Sequence, residues 1–172
     1  MDLILVNEAD EPIGVMEKIE VHKKALLHRA FSIFIFNHKN QLLLQQRALS
    51  KYHSAGLWSN TCCSHPEPGE ETAVSASRRL KEEMGFEAPL KFAFQLIYKA
   101  EFDNQLTEHE LDHVFVGRYD GDVFPNQDEV NETVYLSIED VLSEMKTKPQ
   151  MFTEWFKIIL PRLAHHIKET GI

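Results

Sequence analysis

The sequence predicts a mixed α/β domain without regular βαβ alternation, and three observations carry that reading. Several short runs rich in β-branched and aromatic residues are separated by turn signals. One segment has helical periodicity and ends on a glycine, and an amphipathic stretch closes the chain. With 172 residues, 43% of them hydrophobic and 26% charged, the chain has the size and composition of one compact domain, 1–172.

Leu3 to Val6 reads as a short strand, and "NEADEPIG" after it as a turn marked by Pro12 and Gly14. "AFSIFIFN" (Ala30 to Asn37) and "QLLLQQR" (Gln41 to Arg47), separated by "HKN", predict a β-hairpin. Ser59 to Cys63 reads as extended, before Pro66, Pro68 and Gly69 break the chain. A helix is predicted over Thr72 to Met84: Ala73, Ala76 or Ser77, Leu80 and Met84 share a face, Arg78, Arg79, Glu82 and Glu83 lie elsewhere, and Gly85 sits at the cap. Leu90 to Glu101, Leu111 to Tyr119 and Val134 to Ser137 read as strands. Ser137 can cap a helix Ile138 to Met145, and Thr153 to Thr170 predicts an amphipathic helix with a kink at Pro161.

The net charge of −9 argues against a nucleic-acid surface, which needs a field that attracts phosphates. No run approaches the ~20 apolar residues of a membrane span. The opening "MDLILVNEADEP" lacks a basic leader, so the expectation is a cytoplasmic protein. The two cysteines, Cys62 and Cys63, are adjacent and have no third thiol to pair with, which excludes a disulfide framework.

Three constellations stand out. Cys63 and His65 are two apart, so on an extended backbone they point to one face, with Cys62 on the other. In "TEHELDH", Glu108, Glu110 and Asp112 share a strand face that Val114 and Val116 continue as apolar; solvated acids at a strand end are the ordinary alternative. His22 and His28 flank "KKALL" at a spacing that fixes no geometry; with His65 and the acids they would offer nitrogen and oxygen ligands to Mg²⁺, Mn²⁺ or Zn²⁺. On the predicted helix, Glu83 lies one turn from Arg79, as either a solvated ion pair or a carboxylate that helps a metal neutralise phosphate.

"GEETAVSASRRLKEEMGF" resembles the Nudix box, with Glu70, Arg78, Leu80, Glu82, Glu83, Gly85 and Phe86 matching and the box beginning at Ser64. Ser64 stands where the box has its first glycine. Arg79 stands where it has a metal-ligating glutamate, a departure that speaks against hydrolysis. "NTCCSHP", "RALSKYHSAGLWSN", "TEHELDHVF" and the spaced His22 and His28 are similar to the type 1 isopentenyl-diphosphate isomerases, over roughly Leu3 to Trp155.

That resemblance implies an α+β Nudix fold, a mixed sheet sandwiched between helices, with an N-terminal extension of about 1–28 contributing to the site. It implies His22, His28, His65, Glu108 and Glu110 as ligands of a buried Mg²⁺, Mn²⁺ or Zn²⁺. It implies Glu83 for a second Mg²⁺ against the diphosphate, Lys18, Arg47, Lys51 and Arg79 as diphosphate contacts, and no flavin. The partner implied is a small isoprenoid diphosphate, with no nucleic acid and no membrane, bound by a monomer or weak dimer. Protonating the alkene of such a substrate creates a tertiary carbocation. Cys63 is implied on one face and Glu110, with Tyr98 beside it, on the other. Trp155 would offer an aromatic face to the cation, an attraction of ~2 kcal/mol or more when desolvated, although core packing is the ordinary use of a helix tryptophan. A Nudix hydrolase and a noncatalytic diphosphate-binding module are the alternatives.

Overall fold

The computed structural model describes residues 1–102 and 104–172. It opens with an antiparallel pair, β1 (Asp2–Val6) and β2 (Pro12–Glu17). The turn between them is shorter than the sequence suggested, because the Asn7 side-chain oxygen accepts from both the Ala9 and Glu11 amides at 3.0 Å. Pro12 and Gly14 therefore fall in β2, an edge strand where the missing Pro12 donor leaves no gap in a central ladder. A six-residue helix, α1 (Lys18–Lys23), follows, with the Glu17 carboxylate accepting from the Ile19 and Glu20 amides.

β3 (His28–Phe36) and β4 (Gln41–Arg47) have the bounds of a hairpin but pair only at Phe36–Leu42. Beyond the turn they diverge. β3 runs parallel to β8 (Thr107–Arg118) and takes β1 and β6 (Cys62–Ser64) on its other edge, whereas β4 pairs with β9 (Val130–Ser137) and β5 (Trp58–Ser59). β7 (Leu90–Glu101) pairs antiparallel with β8. Because β3 is buried on both faces, its sequence is a continuous apolar run, as expected of a strand in a covered sheet.

Helices cover both faces. Phe31, Ile33 and Ile35 of β3 meet Ala76, Leu80 and Met84 of α2 (Thr72–Met84). Phe34 and Phe36 meet Trp155, Phe156 and Ile159 of α4 (Glu154–Thr170), with Val141 of α3 (Ile138–Thr147) in the same core. This is the α+β sandwich the resemblance implied. On α2 the buried stripe runs through Thr72 and Ser75 rather than the exposed Ala73, and it includes Glu83. The Ser137 hydroxyl caps α3, accepting from the Asp140 amide at 3.1 Å. α4 continues through Pro161, which sits on its exposed face.

Gly85 closes α2 in the left-handed region, φ 77°, with its amide donating to the Lys81 carbonyl at 3.0 Å. A Cβ there would also press on the Phe124 carbonyl. Gly85→Ala should cost about 1–3 kcal/mol and lower the melting temperature by roughly 3–10 °C; a shift under about 1 °C in a thermal melt would show that the cap and its neighbour relax freely.

Candidate functional site

His28 is the first residue of β3 and pairs in register with Glu110 of β8, which pairs in register with Tyr98 of β7. Residues directly opposite on neighbouring strands face the same way, so these three side chains stand abreast. His65 follows β6 and His22 comes from α1. The three imidazole rings lie 5.1, 5.2 and 6.2 Å apart by centroid. One ligand atom from each of His22, His28, His65 and Glu110 falls within 4.8 Å of the others, and all four residues are buried.

The protonation of this group fits a cation. Burial, then the neighbouring His28 and His65, hold His22 down to about 3. Burial holds His65 down to about 4 even though Glu110 pulls it up. The His28 Nδ1 lies 2.9 Å from the Leu26 carbonyl, and its Nε2 lies 3.4 Å from Glu110 Oε1. The Nε2 atoms of His22 and His28 are buried without a hydrogen-bond partner. Buried imidazole nitrogens left without partners beside a carboxylate are unfavourable unless a cation sits among them, and an N₃O donor set suits Mg²⁺, Mn²⁺ or Zn²⁺ in increasing order of imidazole preference.

Glu108 lies beside this group rather than within the four-atom convergence. Tyr98 donates to Glu110 Oε2 at 2.5 Å and reaches Glu108 Oε2 at 3.4 Å. Burial and the Glu110 charge push Glu108 well above the usual carboxylate range. Burial also opposes the charge on Glu110, but the His28 and His65 imidazoles beside it outweigh that and hold it well below. The pair therefore carries its charge on Glu110. These acids are not solvated: Glu108, Glu110 and Asp112 are all 5% exposed or less.

Cys63 and His65 do share a face, and both line a cavity of about 580 Å³ together with Tyr98, Glu108, Glu110 and Trp155. Cys63 is half-buried, and burial holds its thiol up in the protonated form. Cys62 points the other way into the core against α2 and is fully buried. Trp155 combines its two readings: it is 3% exposed within the α4 core, yet it lines the cavity and donates from Nε1 to Asn60 Oδ1 at 3.3 Å.

Lys18, Arg47, Lys51 and Arg79 line the same cavity. Arg47 lies over the Trp155 ring, 5.1 Å from its centroid. Arg79 donates to Glu82 and Glu83 at 2.6 Å each, and Glu83 also accepts from Gln45 at 3.2 Å. Lys51 is bonded to Glu129, which lies 3.7 Å from Arg79. Glu83 is thus a paired but buried acid, 5% exposed. Sequence reasoning passed over Glu129, Gln45, Tyr52 and His53. All four line the cavity, but none stands at a spacing that marks it.

The NUDIX domain family matches residues 26–156. An isopentenyl-diphosphate Delta-isomerase of Pectobacterium atrosepticum is 52% identical over 165 residues, 96% of this chain and 92% of that one. One of Burkholderia multivorans is 51% identical over 160 residues, 93% and 91% of the two chains. The chain belongs to the Nudix isopentenyl-diphosphate Delta-isomerase family. Solved Nudix-fold structures agree on the architecture. A Deinococcus radiodurans protein superposes with a TM-score of 0.79 at 19% identity, over 94% of this chain and 98% of that one. A MutT protein of Methanosarcina mazei superposes with a TM-score of 0.69 at 22%, over 83% and 96%. Among the described residues no helix is long and apolar enough to cross a membrane.

In this isomerase-family chain the imidazole cluster makes a stability prediction. Removing bound Mn²⁺ or Zn²⁺ with a chelator should lower the melting temperature by roughly 5–15 °C, on the scale of a ligand held far above its dissociation constant. Re-addition should restore it, and His28→Asn should melt low with or without metal. A chelator-insensitive melt, with no metal found by elemental analysis after loading, would remove the cluster as a metal site.

Proposed function

We propose that this chain interconverts isopentenyl diphosphate and dimethylallyl diphosphate, by protonation and deprotonation through a tertiary carbocation, as a step of isoprenoid biosynthesis. The observation that carries it is identity of about half the residues, over more than nine-tenths of both chains, to proteins named for that activity. The cavity supports the reading, with a cationic side and a side that holds a thiol, a phenol and carboxylates.

In this reading Lys18, Arg47, Lys51 and Arg79 bind the diphosphate, and their charges orient the carbon chain toward Cys63 and Glu110. Glu83 would hold Mg²⁺ against the diphosphate. His22, His28, His65 and Glu110, with Glu108 beside them, would hold the buried ion, whether Mg²⁺, Mn²⁺ or Zn²⁺; a cation there supplies positive charge that tunes and fixes the Glu110 carboxylate. Cys63 serves one face of the alkene, and Glu110 with Tyr98 serves the other, one side giving a proton and the other taking one from the neighbouring carbon. Trp155 faces the cation with its ring. The N-terminal segment of about 1–28 belongs to the active site through Lys18 and His22. In this reading the enzyme works as a monomer or weak dimer in the cytoplasm.

The hydrolase reading has the Nudix box in its favour, but Arg79 takes the place of a metal-ligating glutamate and spends its charge on Glu82 and Glu83. Incubation with isopentenyl diphosphate and Mg²⁺ in D₂O, followed by proton NMR, separates the possibilities. Deuterated dimethylallyl diphosphate is expected; released phosphate would establish a hydrolase, and bound but unchanged substrate a binding module. Cys63→Ala and Glu110→Gln should each lower kcat by about 10³-fold while substrate binding stays measurable by calorimetry, and near-normal turnover in either would refute the assignment. Cys62→Ala should be mild; lost activity in a folded Cys62→Ala protein would mean that the other thiol carries the chemistry.

A further inference from the structure

We infer that His53 is a positioning residue that closes the hydrocarbon side of the cavity against water and steadies the Glu108 carboxylate, an inference that rests on the isomerase reading. His53 belongs to the loop between β4 and β5, yet its side chain is only 6% exposed. Its ring stacks on Phe102, 4.8 Å between centroids and 24° from parallel, and meets the Trp155 ring edge-on at 6.0 Å. Nε2 lies 3.4 Å from Glu108 Oε1, and Nδ1 lies 3.1 Å from the Ser54 hydroxyl. The His53 carbonyl accepts from Arg47 at 3.4 Å.

These contacts give one side chain three neighbours that the proposed reaction uses or needs. Phe102 lies between β7 and β8, so the stack joins that connection to the β4–β5 loop across the cavity wall. Trp155 is the ring assigned to the cation, and Glu108 is the carboxylate that shares the Tyr98 hydroxyl with Glu110. An ordinary loop histidine would keep its ring in water. Here the ring fills the space between two aromatic side chains, and truncation to alanine would leave room for about one or two waters.

Water at that wall has a defined chemical consequence. Protonation of isopentenyl diphosphate places positive charge on the tertiary carbon. The normal course loses a proton from the adjacent carbon. If water reaches the cation, a C–O bond forms at the tertiary carbon and the oxygen gives its extra proton to solvent. The product is then the tertiary alcohol, substrate plus one water. The ratio of alcohol to dimethylallyl product reads water exclusion directly and does not depend on how much of the protein is active.

The test follows ¹³C-labelled isopentenyl diphosphate by NMR with the metal-loaded wild type, His53→Ala and His53→Phe. Wild type should give no detectable alcohol. His53→Ala should divert roughly a tenth or more of the product to it, and His53→Phe, which keeps a ring, should not. His53→Phe should also lower kcat by about 10-fold at unchanged KM, because Glu108 loses its nitrogen partner. A purely structural role would lower turnover and leave the ratio at the wild-type value, which would overturn the inference. If His53→Ala does not fold, Phe102→Ala removes the stacking partner from the other loop and must show the same diversion; a wild-type ratio there overturns the inference equally. Failure of the wild type to turn over would instead sink the isomerase reading itself.

Discussion

The parallel ladder between β3 and β8 is the constraint on which the site depends. Its register runs from His28 opposite Glu110 to Phe36 opposite Arg118. The same strands carry Tyr98 level with Glu110 on one side and Cys63 level with Ser32 on the other. Side chains alternate along a strand with a period of two, so a slip of one residue would turn Glu110 toward the α2 face and leave His28 without its carboxylate. The buried phenylalanines and isoleucines of β3 hold that register from both faces, in the cores against α2 and α4. An irregularity between Phe92 and Phe94 serves the same end: after it, Leu96, Tyr98 and Ala100 all point inward.

The N-terminal pair of strands is fastened to this ladder by ion pairs rather than by a long β-ladder. β1 meets β3 only at Leu5 and His28. Asp10 compensates, accepting from Arg29 of β3 at 2.7 Å while its other oxygen lies 2.8 Å from His113 of β8. Held there, the hairpin delivers α1, and α1 brings Lys18 to the cavity and His22 to the other imidazoles. The fourth buried acid of the region, Asp112, is steadied from within β3 by the Ser32 hydroxyl at 2.7 Å. Imidazoles and a phenol meet the Glu110 oxygens, while burial and the Glu110 charge push Asp112 well above the usual carboxylate range despite the Ser32 bond.

How much of this could be read from the sequence depended on whether the signal was local. The bounds of α2 and β7 were legible because a helical stripe with a glycine cap, and a long β-rich run, are written within the segments themselves. The opposed faces of Cys62 and Cys63 followed from strand alternation alone. The β3–β4 turn was legible from its local signals, but the short extent of the pairing was not, because the main partners of these strands, β8 and β9, lie some 80 residues away. α1 is too short for a periodic signal, so the helical setting of His22 was invisible. The usual rule that acids face water failed at Glu83, Glu108 and Glu110, as local rules tend to fail at functional sites. His53 had no spacing at all to betray it, since its partners come from Phe102, Glu108 and Trp155.

Arg79 shows how one substitution in the box changes what α2 can do. A glutamate at that position would add an acid to Glu82 and Glu83 and favour metal along the helix. Arginine instead draws both acids to itself and extends toward Glu129, which in turn holds Lys51. Lys51 and Arg79 are thereby mutually tolerable without a ligand, because each has carboxylates beside it. A chain of net charge −9 thus gathers Lys18, Arg47, Lys51 and Arg79 around one space. The cationic side draws on α1, the end of β4, the loop after it and α2, and the proton-transfer side on the β3, β8 and β7 register with β6 beside it. Because Lys51 and Arg79 lie outside that register, their part of the diphosphate grip can change without disturbing the groups that act on the carbon chain.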